Sequence, residues 1–143
     1  MKPRNKRVVI TGLGLVTPLG IGVKPTWESL CTGKSGVGEV TRFDSSAYPT
    51  RIAAEIKDFR PQDFMPKKDA RRVEPFIAYA LAATRMAIED SGLVIDSSNE
   101  TRVGVITGCG LGGLRFMEDT VLRVSQEGPR RVSPFFIPMM IGN

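Results

Sequence analysis

A chain of 143 residues with 41% hydrophobic and 24% charged side chains is long enough for one domain with a real core, and this composition excludes the polar, highly charged class of disordered chains. The formal charge of +5 invites a phosphate-rich partner, but the basic residues gather in short clusters with no interleaved aromatics and no reading motif, which argues against nucleic acid. Histidine is absent, so Ser-His, Cys-His and His-metal chemistry are all closed to this chain acting alone.

The basic start, Met1 to Arg7, leads into only three apolar residues before Thr11, too few for a signal peptide. No stretch approaches the roughly 20 apolar residues of a membrane helix, so no membrane association and a cytoplasmic location are expected. Cys31 and Cys109 lack metal-ligand spacing and are expected as reduced thiols. Arg7 to Gly12 is a β-branched run that predicts a buried strand, opening into the glycine-punctuated loop Leu13 to Gly20. Pro25 and Gly33 bracket a short helix with Trp27, Leu30 and Cys31 on its inner face. Residues 34 to 50 predict an irregular connection, and Arg51 to Ile56 a short strand. Lys57 to Arg72, carrying Pro61 and Pro66, suits a surface segment with at most a helical turn or two.

Pro75 to Asp90 gives the strongest helical pattern. Its apolar residues surround most of the axis, which predicts a buried helix, and its alanines let neighbouring backbones come close. Ser91-Gly92 supplies the stop. Arg102 to Thr107 predicts a second apolar strand, feeding a glycine turn at Gly108 to Gly113 and a helix from Leu114 to Gln126. Gly128-Pro129 ends that helix, and Ser133 to Pro138 leads toward another. Strand, helix, strand, helix in that order implies an α/β layer with parallel strands. The elements make half of a doubly wound layer whose sheet edge another part of a protein normally covers, so the chain reads as truncated.

Gly108, Gly110 and Gly113 fit G-x-G-x-x-G between a strand and a helix, the context of a dinucleotide fingerprint. No second strand with an acid at its tip follows, so the favoured reading is a tight turn approaching another surface, with Leu111 projecting into a cavity and no cofactor held. Cys109, near a helix start, reads either as a nucleophile or as a small buried residue; with no base beside it the second is favoured. Lys67, Lys68, Arg71 and Arg72 stand at i, i+1, i+4 and i+5, which collects them on one side of a helical turn as either a solvated face or a binding face. Arg130-Arg131 is open to the same two readings. Phe135-Phe136-Ile137 is too apolar for an exposed loop and belongs in a core, a subunit interface or a pocket wall.

Taken together, Val8 to Gly14 with Thr17-Pro18-Leu19-Gly20, Phe43-Asp44 through Arg51-Ile52-Ala53, the Lys67 to Arg72 cluster, Gly108 to Gly113, and Gly128 to Phe136 resemble the β-ketoacyl-ACP synthase II family of fatty-acid elongation, over the whole chain. The resemblance implies a thiolase-like α/β fold, an αβαβα sandwich of which residues 1–143 would be the first part of the N-terminal half, in an enzyme that is usually a homodimer. It implies a reaction in which an acyl group passes from acyl carrier protein to a cysteine, and decarboxylation of malonyl-ACP yields the carbanion that attacks the thioester. The family's cysteine and two histidines would fall beyond Asn143, so no catalytic residue, metal or cofactor is expected here, and no role carries over to Cys109.

Other roles are implied position by position. Lys68, Arg71, Arg72, Arg130 and Arg131 match the basic residues that receive the acidic carrier protein. Leu111 matches the residue gating the acyl pocket, and Phe136 and Ile137 the pocket wall that reaches across the dimer. Glu74-Pro75 departs from the family's usual aspartate and non-proline pair, yet proline in a first turn should preserve the helix start. Two other readings stay in view: a non-catalytic module that binds acyl carrier protein, and a fragment of a polyketide ketosynthase.

Overall fold

The structure, a computed structural model, describes residues 6–141. Where length alone leads one to expect a single unit, the chain falls into two compact ones, Met1–Glu55 with Ala83–Val94, and Ile56–Ala82 with Ile95–Asn143.

The first unit begins its regular structure at a hairpin. Strand β1 (Val16–Thr17) pairs antiparallel with β2 (Gly20–Ile21), Thr17 opposite Gly20. The Thr17 hydroxyl oxygen accepts the backbone N–H groups of Leu19 and Gly20, both at 3.2 Å, and so closes the turn that Pro18 enters. Gly22, at φ 104, then swings the chain into helix α1 (Val23–Cys31), where Pro25 sits in the first turn and leaves no orphan N–H. Here the expected inner face is corrected: Trp27 and Leu30 are 65% and 54% exposed and Cys31 is exposed, while the buried residue is Thr26. The reason is hydrogen bonding. Thr26 Oγ1 lies 2.8 Å from the Gly22 carbonyl and 3.1 Å from Thr17 Oγ1, so the polar side chain locks helix to hairpin from within.

A second ladder joins β3 (Gly38–Glu39) to β4 (Ile52–Ala53), antiparallel. The strand expected near Arg51 is thus present but short, and its partner lies in a stretch read as irregular. Glu55 holds the intervening loop: its carboxylate accepts the Thr41 hydroxyl at 2.6 Å and the Thr41 N–H at 3.1 Å, which keeps its pKa below the ordinary carboxylate value.

Helix α3 (Pro75–Ser91) closely matches its predicted span and ends at Gly92, φ 64. Its C-terminal half belongs to the first unit, where the alanines do what the sequence suggests. A Cβ at Gly12 or Gly14 would run into the backbone carbonyls of Ala87 and Ala83, so the incoming chain lies directly on the helix backbone. The Leu13 N–H donates to the Asp90 carboxylate at 2.8 Å and pins the end of this seam. The helix is not buried all round, however. Ala78 and Ala82 are its buried residues, while Leu81 and Ile88 are 48% and 37% exposed.

In the second unit, helical turn α2 (Lys67–Ala70) precedes α3, and helices α4 (Leu114–Glu127) and α5 (Phe136–Ile141) follow. Phe59 stacks on Phe64 with centroids 5.6 Å apart and meets Tyr79 edge-on at 4.9 Å, forming a small aromatic core beside α2. The helix starting at Glu74-Pro75 survives as expected, the Glu74 carbonyl accepting the N–H groups of Ile77 and Ala78.

The two long strands are corrected. Among the described residues the sheets are two antiparallel two-stranded ladders, and neither Arg7 to Gly12 nor Arg102 to Thr107 joins one. Val8 is 92% exposed and Ile106 fully so. Runs that are apolar on both faces suit central strands of a parallel layer, and such strands exist only through hydrogen bonds to neighbours on each side. No helix among the described residues is long and apolar enough to cross a membrane.

Candidate functional site

The site is built on a turn that local chemistry makes almost inevitable. Pro66 sits ahead of α2, and its carbonyl accepts the N–H groups of Asp69 and Ala70 at 2.9 and 3.0 Å. The Arg72 N–H closes on the Asp69 carbonyl at 2.8 Å, with Arg71 still helical at φ −85 and ψ −7. Helical spacing therefore continues past the formal end of α2 and brings Lys67, Lys68, Arg71 and Arg72 around one open groove of about 480 Å³. Four solvated cations with no acid lining the same groove favour an anionic partner and a rate of encounter that falls with salt.

Arg130 and Arg131 lie on a separate 3₁₀ turn, Pro129–Arg131, set off from α4 by Gly128 at φ 86. Arg131 Nε stands 3.2 Å from the Glu127 carboxylate, an exposed pair one helical turn apart. Arg72 is held too: its guanidinium carbon lies 5.1 Å from the centre of the Phe135 ring. The sequence offered no signal for this contact, because its partners belong to distant stretches with no shared periodicity.

The residues expected at a pocket are placed on both sides of the glycine turn. Gly112, at φ 62, and Gly113 lie against α5: the Gly113 N–H donates to the Met140 carbonyl at 3.0 Å, and a Cβ at either glycine would strike the carbonyls of Met140 or Met139. Close backbone approach is what Gly112 and Gly113 serve, whereas a Cβ at Gly108 or Gly110 would meet nothing within 4 Å, so the approach expected of all the fingerprint glycines is made at the end of the turn only. Leu111 stands 77% exposed in the turn. Phe136 packs its ring on Phe116 with centroids 5.8 Å apart, whereas Ile137 is 55% exposed. The expected burial of Cys109 is corrected; it is exposed, its sulfur accepting the Gly112 N–H at 3.1 Å, because the turn packs through its last glycines and leaves its first half uncovered.

Glu74, between the basic turn and α3, carries a carboxyl pushed above its ordinary value by burial, with the Arg115 cation pulling it back and Asp119 pushing further. Among the described residues no cluster of His, Cys, Asp and Glu is arranged to hold a metal ion. An apolar groove of about 330 Å³ also opens in the first unit, lined by Thr17, Pro18, Leu19, Leu30 and Val37 among others.

Comparison with known proteins gives this geometry a context. Residues 5–143 match the family model described as "Beta-ketoacyl synthase, N-terminal domain". The chain is 49% identical over 139 residues to 3-oxoacyl-[acyl-carrier-protein] synthase 2 of Coxiella burnetii, covering 97% of this chain and 34% of that protein. It spans about a third of the length of the curated relatives it matches. Among solved structures, it superposes with a TM-score of 0.76 and 25% identity on a complex of a type II PKS acyl-carrier protein with its ketosynthase bound to the hexaketide, covering 96% of this chain and 35% of that one. A β-ketoacyl synthase from Burkholderia phymatum gives a TM-score of 0.75 and 28% identity, covering 95% and 34%. The fold class is therefore the α/β, thiolase-like one of the ketosynthases.

Proposed function

The chain belongs to the β-ketoacyl synthase family, and from that premise we propose that it supplies the entry surface and pocket lining of a fatty-acid condensing enzyme, without the groups that make the carbon–carbon bond. The observation carrying this is the open groove of Lys67, Lys68, Arg71 and Arg72. An acyl carrier protein is acidic and brings its substrate on a phosphate-linked arm, so a solvated cluster of cations is the surface that would receive it. One structural relative is a ketosynthase in complex with its acyl-carrier protein, which supports the same partner here.

In this reading Lys68, Arg71, Arg72, Arg130 and Arg131 face the carrier, while Leu111, Phe136 and Ile137 line the acyl pocket. Residues 1–143 are the first part of an N-terminal domain that works as a homodimer in the cytoplasm. Decarboxylative condensation in this family needs a cysteine thiolate and imidazoles, and the chain contains no histidine. It is accordingly inactive alone. Purified protein given acyl- and malonyl-ACP should form no ketoacyl product; product formation would overturn the division of labour. Titration with acyl carrier protein at low salt should show binding that weakens as salt rises, and Arg71→Glu with Arg130→Glu should abolish it.

The absence of histidine equally favours a second reading, a non-catalytic module that binds acyl carrier protein. The two separate when the chain is joined to the remaining two-thirds of a relative's sequence: a condensing enzyme gains activity, whereas a module does not. Identity of 49% to a 3-oxoacyl-[acyl-carrier-protein] synthase 2, against 25% to the type II PKS ketosynthase, favours the fatty-acid substrate.

A further inference from the structure

Five cations are proposed above to face the carrier protein, but the structure does not treat them alike. Lys68, Arg71 and Arg130 have no side-chain hydrogen bond, ion pair or ring contact among the described residues, whereas Arg131 is paired with Glu127 and Arg72 lies over Phe135. Phe135 is in turn tied at its backbone. Its N–H donates to Ser133 Oγ at 3.2 Å, and its carbonyl accepts the Met139 N–H at 3.0 Å as α5 begins. The neighbouring Phe136 donates its N–H to the Ser133 carbonyl at 3.0 Å and packs its ring, tilted by 34°, against Phe116. Phe135, 43% exposed, is thus fixed at its backbone in a bonded turn, and the Arg72 guanidinium lies over its ring.

We infer that Arg72, alone among the five cations, acts chiefly as a positioning residue: held on the Phe135 ring, it ties the basic turn to the start of α5 and so sets where Phe136 and Ile137 stand. The inference deepens the proposed docking function and rests on it for the partner. A planar guanidinium spreads its charge over the ring face, which a lysine ammonium does poorly, so the position has a chemical preference that simple charge complementarity lacks. A carrier protein attracted by Lys67, Lys68, Arg71 and Arg130 would then arrive beside a turn already in place.

The test combines carrier-protein titration at low salt with amide hydrogen exchange of the Ser133 to Met140 segment, using the chain as it stands. Arg71→Gln should weaken binding about fivefold and leave exchange unchanged, the scale of one lost partly solvated charge contact. Arg72→Gln should weaken binding by about twofold or less, yet speed exchange at Phe136 and Met139 severalfold. Phe135→Leu should reproduce that exchange change, the double variant should add nothing, and Phe135→Tyr should restore protection. Weakening by Arg72→Gln equal to that of Arg71→Gln, with exchange unaltered, would overturn the inference. If neither Arg71→Gln nor Arg130→Gln affects binding, the docking function itself falls, and exchange at Phe136 alone decides the role of Arg72.

Discussion

Gly12 and Gly14 lie against the carbonyls of α3 with no room for one added carbon, whereas Lys67, Lys68, Arg71 and Arg72 surround an open groove that any side chain could enter. The first arrangement is dry backbone contact, where shape decides everything. The second is solvated charge, where shape decides little and Coulomb attraction acts at a distance. The contrast shows that the residues holding the first unit together and those proposed to face a partner are drawn from different chemistries. A substitution in one region should leave the other's property alone.

The largest effect is expected at the seam. Gly14→Val should destabilise the chain by about 3 kcal/mol, because the new side chain overlaps the Ala83 carbonyl and the helix must move. Urea unfolding measures it, and a neutral result would mean the seam is looser than its geometry. Next comes Thr26→Val, which keeps the volume but removes a buried hydroxyl bonded to Gly22 and Thr17, at about 1–2 kcal/mol by the same measurement.

On the other side, Arg71→Glu should lower affinity for acyl carrier protein about tenfold, or ~1.4 kcal/mol, by adding repulsion as well as removing attraction. Its unfolding midpoint should shift by no more than about 0.5 kcal/mol equivalent, as for other exposed sites. A large stability loss there would erase the distinction between the regions.

The smallest effects sharpen it through pH. Glu55 accepts bonds from Thr41 and Arg42 that hold its pKa down, so its contribution is present above the ordinary carboxylate value and lost as pH falls through the lowered one. Glu74 is the reverse. Burial raises its pKa, so the folded state is favoured below the ordinary carboxylate value, and that gain is lost as pH rises through the raised one. In thermal melts across the acid range, Glu55→Gln should flatten the loss on the acid side, while Glu74→Gln should flatten the decline above it. Identical profiles for the two variants would show that neither carboxylate is coupled to folding as its surroundings suggest.

Much of the candidate site was legible in the chain. Lys67, Lys68, Arg71 and Arg72 announce a shared face by spacing alone, since one helical turn suffices to gather them. Of Gly108, Gly110 and Gly113, read as a turn approaching another surface, only Gly113 makes that approach, where a Cβ would strike the Met139 carbonyl. The anchoring of Arg72 on Phe135 was not legible, nor the burial of Thr26 in place of Trp27, because each depends on a partner that local pattern does not name.

By itself the sequence determined the longer helices and their stops at glycine, the alanine-rich helix that lets a neighbouring backbone come close, and the family to which these motifs belong. Those features arise from bonds between near neighbours and from the volume of single side chains. Tertiary structure alone decided which apolar runs become strands, which cations remain free and which aromatic is capped by a guanidinium. Each of these is settled by contact between distant stretches of chain, and a strand or an ion without its partner has no local energy to declare itself.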